Sequence, residues 1–168
     1  MGMRERKSAI RKAASIDSAG ILECLRAAFE AFRNSYTPEA FVDTVLTPQT
    51  IQQRFARMCL FVAVSESGEI VGTIGCQVVT SEVGQEKEGH IRGMAVLPRW
   101  QGSGVATQLL SAVESELRDQ GCSRISLDTT QPLQQAMRFY EKNSFQRSGR
   151  VTSFFGMPLF EYVKRLED

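Results

Sequence analysis

The sequence predicts an α/β or α+β fold, a single sheet with helices on both of its faces. Three observations carry that prediction. Apolar residues recur at helical spacing up to about residue 58 and then give way to β-rich runs from Leu60. A Glu66-Ser67-Gly68-Glu69 turn folds two of those runs into a hairpin. From Val96 onward, strand and helix patterns alternate. The 168 residues suit one domain, 1–168, long enough to bury a sizeable core.

Each element follows from its local pattern. Residues 8–14 read as a first short strand. From Asp17, the positions Ile21, Leu22, Leu25, Ala28, Phe29 and Phe32 form a helical stripe. Thr37-Pro38 and Thr47-Pro48 each suit a helix start, with Thr as cap and Pro in the first turn, so 38–58 read as two short helices. Leu60–Val64 and Ile70–Val79 are the hairpin strands, and a further strand covers about 88–96. Ala106, Leu109, Leu110, Val113 and Leu117 share one face of a helix ending near Gly121. Ile125–Asp128 reads as a short strand, and Leu133, Ala136, Met137 and Tyr140 mark another helix. Strands at about 145–152 and 155–164 close the chain.

Composition narrows the function. A hydrophobic fraction of 42% and a charged fraction of 23% are those of a soluble globular protein. With 20 basic and 19 acidic residues the net charge is +1, so no basic surface for nucleic acid or anionic membrane is expected. No run approaches a membrane span, and the N-terminus lacks the apolar core of a signal peptide. Met1-Gly2 does not extend to a myristoylation signal, because Arg6 takes the Ser/Thr place; residues 1–7 are expected to be a flexible start. Cys24, Cys59, Cys76 and Cys122 form no C-x-x-C pair, and the single His90 cannot complete a zinc set. Free thiols in a reducing, cytoplasmic setting and no bound metal are expected.

The strongest chemical signal lies between Val96 and Leu109. A strand enters Leu97-Pro98-Arg99-Trp100-Gln101, then Gly102-Ser103-Gly104, then a helix. Glycines let the backbone approach a ligand, and a helix start offers unpaired N–H groups with partial positive charge. Such a turn suits a diphosphate. Alone it also suits a turn without a ligand.

The run Gln101-x-x-Gly104-x-Ala106 resembles the Q/R-x-x-G-x-G/A signature of the GNAT family of N-acetyltransferases. Met94-Ala95-Val96 looks like that family's signature strand, with Pro98 just beyond it. Ala136-Met137-Arg138-Phe139-Tyr140-Glu141-Lys142-Asn143-Ser144-Phe145 is similar to its A-x-x-[FL]-Y-E-x-x-G-F element. The resemblance spans roughly residues 8–166. It implies a mixed, mostly antiparallel sheet of six to seven strands flanked by about four helices. It also implies acetyl-CoA as co-substrate, held by Met94, Ala95 and Val96 along the pantetheine and by Gln101, Gly102, Ser103, Gly104, Val105, Ala106 and Thr107 at the pyrophosphate. Tyr140 matches the family tyrosine that protonates the coenzyme thiolate. Homodimers are common among such domains. Two departures stand out: Leu133 where many members have Asn, and Ser144 in place of Gly before Phe145.

Acetyl transfer to an amine needs a neutral amine, a stabilised oxyanion and a proton for the leaving thiolate. Tyr140 suits the acid, although its spacing with Leu133 and Met137 also suits a core aromatic. For the base, Glu88, His90, Arg92 and Met94 share one strand face by the two-residue period. His90 is the first candidate, Glu88 the second, and an ordered water with backbone groups the third. Arg92 has two readings, orienting an acidic group on the acceptor or pairing with Glu88. Asp128 and Thr130 are placed to line an acceptor pocket, although Asp128 equally suits a helix cap. That pocket is expected from 29–58, the 80–90 loop and the last two strands, with Arg33, Tyr36, Arg57, Phe154 and Phe155 as candidate lining.

The acceptor implied is a primary amine on a small molecule, peptide or protein. A non-catalytic acyl-CoA sensor and a dinucleotide-binding Rossmann unit are the alternatives. For the latter, Gly102-x-Gly104 precedes a helix and Asp128 follows at a ribose-binding distance. Against it stand Thr107 at the third glycine place and the hairpin-rich first half.

Overall fold

A computed structural model describes residues 6–80 and 86–166. Residues 8–17 make strand β1 (Ser8–Lys12) and the entry to helix α1 (Ser18–Phe29). Asp17 fixes the joint: its carboxylate accepts two bonds from the Arg11 guanidinium, at 2.8 and 2.9 Å, and one from the Ala14 N–H at 2.8 Å. That bond takes Ala14 into the joint, so β1 stops short of residue 14. The two Thr-Pro pairs start α2 (Pro38–Val45) and α3 (Pro48–Arg57), and Thr37 and Thr47 each accept a backbone N–H as caps.

Strands β2 (Cys59–Ser65), β3 (Ile70–Thr80) and β4 (Lys87–Val96) follow, then α4 (Val105–Asp119), β5 (Cys122–Thr130), α5 (Gln134–Lys142), β6 (Gln146–Phe154) and β7 (Met157–Arg165). The sheet has seven strands in the order β1-β2-β3-β4-β5-β7-β6. Among these strands only β4 and β5 pair in parallel. A doubly wound sheet is mostly parallel, so the Rossmann reading fails here. Five α-helices flank the sheet, with α2 and α3 separated at Leu46, whose φ of 66° cannot continue a helix. β5 outruns the expected 125–128 at both ends: β4 and β7 flank it as far as Leu127 and β7 alone carries it on to Thr130, and Ser126, Thr129 and Thr130 are buried despite their polarity.

One sheet face packs on α4 and α5, the other on α1 and its neighbours. Leu109, Val113 and Leu117 of α4 are fully buried, each contributing about 1.5–3 kcal/mol by area. Two glycines set the distance between α4 and the sheet. A Cβ on Gly72 would lie 2.8 Å from Val105 Cγ1, and one on Gly89 would lie 2.5 Å from Leu117 Cδ1. Tyr140 of α5 packs against Tyr162 of β7, tilted by 45°, and edge-to-face against Phe145, with ring centroids 6.4 and 5.7 Å apart. The expected flexible start, 1–7, lies outside the described residues up to residue 5; Arg6 sits over the Trp100 ring at 5.5 Å.

Candidate functional site

The centre of the sheet opens by design of its hydrogen bonding. β4 stays paired with β3 as far as Val96, and β5 stays paired with β7 as far as Thr130. The β4–β5 ladder, however, runs only from Lys87–Cys122 to Ile91–Leu127. Beyond it the two strands diverge, leaving the β5-facing backbone groups of Met94 to Val96 without a strand partner. The register of β4 against β3 shifts between Thr73 and Gly75, which accommodates one extra residue in β4. Gly93, with φ of 72°, forms this bulge, a conformation that favours glycine. The bulge breaks the two-residue period: Arg92 and Ala95 stand opposite Gly75 and Thr73 on one face, and Met94 leaves the face of Glu88, His90 and Arg92.

A cavity of about 1050 Å³ fills this opening, large enough for a substantial ligand. At one end lies the glycine turn. Gly102 and Gly104 have φ of 79° and 91°, and no side chain caps α4. The Gln108 N–H donates to the Gly104 carbonyl at 3.1 Å, so the N–H groups of Val105, Ala106 and Thr107 have no acceptor within the helix. Gln101 holds the turn to the strand end through its Nε2 and the Val96 carbonyl at 3.4 Å. This concave row of donors at a helix start suits an anion.

Gln101, Gly102, Gly104, Ala106 and Thr107 line the cavity, as do Met94, Ala95 and Val96. Ser103 and Val105 do not: the Ser103 hydroxyl donates to the Trp100 carbonyl, and the Val105 side chain is buried against Gly72. The Ser103 N–H is also taken by the Trp100 carbonyl, at 3.3 Å, so of the two only the Val105 N–H is open to a ligand.

Two polar groups in the cavity wall lack a partner among the described residues. Tyr140 is 7% exposed and lines the cavity, and its hydroxyl makes no hydrogen bond. Burial pushes its pKa up, which keeps the proton on oxygen. Thr129 Oγ1 is buried in the same wall and is likewise unsatisfied. A buried hydroxyl ordinarily finds a partner, so Thr129 points to a ligand with polar atoms, and the Tyr140 hydroxyl, open to the cavity, is free to meet one.

The floor beside the slot carries His90, Asp128 and Ser126. His90 Nδ1 lies 2.9 Å from Ser126 Oγ, and Nε2 lies 3.8 Å from Asp128 Oδ2. Desolvation holds the imidazole below its usual pKa despite Asp128, and desolvation likewise pushes the Asp128 carboxyl up. His90 is therefore neutral at pH 7, and Asp128 lies close enough to stabilise a proton received there. Asp128 sits within β5, so it caps no helix; the α5 cap position, Leu133, has no side-chain cap. Glu88 is bound to Arg124 at 2.7 Å and is not brought into the cavity. Arg92 pairs with Asp43 at 2.7 Å rather than with Glu88.

Around the acceptor side, Phe29, Phe32, Tyr36, Phe154 and Leu159 form an apolar wall. The Tyr36 hydroxyl is 2.5 Å from Thr130 Oγ1. Arg33, Arg57 and Phe155 are not among the lining residues; Arg33 instead sits over Phe41 at 4.2 Å and pairs with Glu30. Of the 80–90 loop, 81–85 lie outside the described residues. Asp43, Arg54 and Thr129 line the cavity without having been singled out from sequence. Ser126 was missed too, although strand alternation with Asp128 marks its face.

The model of the acetyltransferase (GNAT) family matches residues 22–145. The chain belongs to the GNAT family. It is 34% identical over 136 residues to an aminoglycoside N(6')-acetyltransferase type 1 of Stenotrophomonas maltophilia, spanning 79% of this chain and 87% of that protein. It is 35% identical over 97 residues to human N-acetyltransferase 8B, spanning 58% of this chain and 41% of that protein. Among solved structures, the fold resembles that of a PaiA N-acetyltransferase of Thermoplasma acidophilum in complex with coenzyme A. There the TM-score is 0.73 at 15% identity, with 92% of this chain and 98% of that one covered. In this GNAT chain the split sheet, the glycine turn and the aromatic of α5 thus occur together around one cavity.

Proposed function

We propose that this GNAT chain transfers the acetyl group of acetyl-CoA directly to a primary amine, with both substrates bound together. The observation that carries this reading is the hydroxyl of the buried Tyr140, protonated and unpartnered among the described residues, in the wall of the slot. Acetyl-CoA would supply the acetyl group as a thioester. The N–H groups of Gly102 and of Gly104 to Thr107 suit its pyrophosphate, those of Gln101 and Ser103 being taken by the Pro98 and Trp100 carbonyls, and the open edge at Met94 to Val96 suits the amides of its arm. Thr129 Oγ1 is a further donor for that arm.

An alkylammonium arrives protonated at neutral pH. Asp128 attracts it, and His90 Nε2 takes its proton when Nδ1–H donates to Ser126 Oγ. A backbone N–H near Val96 meets the charge growing on the acetyl oxygen. Tyr140 gives its proton to the departing sulfur, in surroundings dry enough to raise the proton affinity of that sulfur as well. Direct transfer is supported by the thiols: burial pushes Cys24 and Cys76 up to about 12, and no cysteine is among the lining residues. Such free thiols suit the reducing cytoplasm.

The test is thiol release from acetyl-CoA across a panel of amines. Tyr140→Phe is expected to slow turnover about 10²-fold or more with CoA affinity retained. Melting temperature should be unchanged or raised, since the lost hydroxyl has no partner. Tight CoA binding with no turnover on any amine would establish the sensor reading instead.

A further inference from the structure

The acceptor side of the cavity has two electrical poles. At the pole made by α2 and α3, Asp43 is the one carboxylate facing two guanidinium groups, Arg92 and Arg54. It is hydrogen-bonded to Arg92 at 2.7 Å. The Arg54 head has no hydrogen bond or ion pair to any described residue. Its stem lies in a small crevice with Leu25, Leu46 and Leu60, and its head reaches the bulge of β4. A Cβ on Gly93 would come within 2.6 Å of Arg54 Nη1, so the bulge glycine leaves the space this head occupies. Desolvation and the neighbouring Arg92 hold Arg54 down to about 10, still a cation at pH 7. The opposite pole is acidic: Asp128 faces the neutral His90, and Glu161 stands opposite Asp128, only 3.9 Å from its own partner Arg150.

One carboxylate between two guanidiniums, and hydrogen-bonded to only one of them, leaves the half-buried Arg54 head short of an anion, which is costly, and packing alone needs only the stem. A head held open beside the slot therefore marks a place for an anionic group. A polyamine would set ammonium groups against two guanidiniums. We propose that the acceptor is an amino acid with an apolar side chain, its carboxylate bound by Arg54 and its amine directed to Asp128 and His90. The aromatic wall takes the side chain. This assignment rests on the acetyl-transfer reading and names its substrate class.

Calorimetric binding to the CoA-loaded protein tests it without turnover. The probes are N-acetyl-L-phenylalanine, N-acetyl-L-leucine and N-acetyl-L-methionine, each beside its carboxamide. At least one carboxylate should bind roughly tenfold or more tighter than its carboxamide, the scale of a charge-assisted bond. Arg54→Met should erase that preference, and Arg54→Lys should keep part of it. Equal binding of carboxylate and carboxamide by the wild type overturns the assignment, with no variant needed. So does a preference that survives Arg54→Met, or no binding of any carboxylate. Failure of the transfer reading shows separately, as absence of thiol release from bound acetyl-CoA with every amine.

Discussion

His90 decides the pH response at the scale of a single residue. In the proposed reaction its neutral form is the base, and desolvation places its pKa below the usual imidazole value. Activity should therefore hold as pH falls to 6.5 and decline only below it, as the imidazole becomes protonated. His90→Gln should cost about 10²-fold in kcat/KM and remove that acid limb. A limb that persists unchanged in the variant would assign it to another group. Asp128→Asn should shift the limb further down, because the carboxylate is what raises the imidazole against desolvation. His90 was legible in the sequence as the sole histidine, on the strand feeding the turn. Ser126 and Asp43 were not, since nothing local couples a serine on β5 or an aspartate on α2 to that strand.

Among the elements, α5 shows how a departure from a family pattern is absorbed. Its C-terminus closes with the Ser144 N–H on the Glu141 carbonyl at 3.2 Å and the Phe145 N–H on the Tyr140 carbonyl at 3.0 Å. Ser144 holds a φ of 72° at an exposed position where glycine has no Cβ to accommodate. Ser144→Gly should stabilise the protein by about 0.5–1 kcal/mol, less than the full left-handed penalty because glycine also frees the unfolded chain. Chemical denaturation measures this; a lower midpoint would show the serine side chain to be of use there. Helix starts were readable because Thr-Pro caps act within one turn, as at Thr37 and Thr47. The length of β5 and the bulge at Gly93 were not, because both are set by partners distant in sequence. Where a bulge intervenes, strand alternation misassigns the next side chain, and Met94 is that case.

For the whole molecule, the split between β4 and β5 divides the sheet into β1–β4 and β5–β7, joined by a short parallel ladder. A ligand lying along Met94 to Val96 and against Thr129 and Tyr140 would contact both parts. CoA at 100 times its Kd should stabilise the protein by about 2.7 kcal/mol. For a chain of this length that is roughly 5–10 °C in Tm. Amide exchange in β4 and β5 should slow with it, and a CoA effect limited to the glycine turn would contradict this bridging. The same seam has a consequence in time. The hairpin of β2 with β3 and that of β6 with β7 close over short turns, whereas β4 meets β5 only after all of α4 is wound between them. Contacts of that range form late when a chain folds. CoA is then expected to act on the unfolding arm of a chevron plot and leave the refolding arm in place. Stopped-flow kinetics with and without CoA would show it, and a faster refolding arm would mean that the seam is already shut at the barrier.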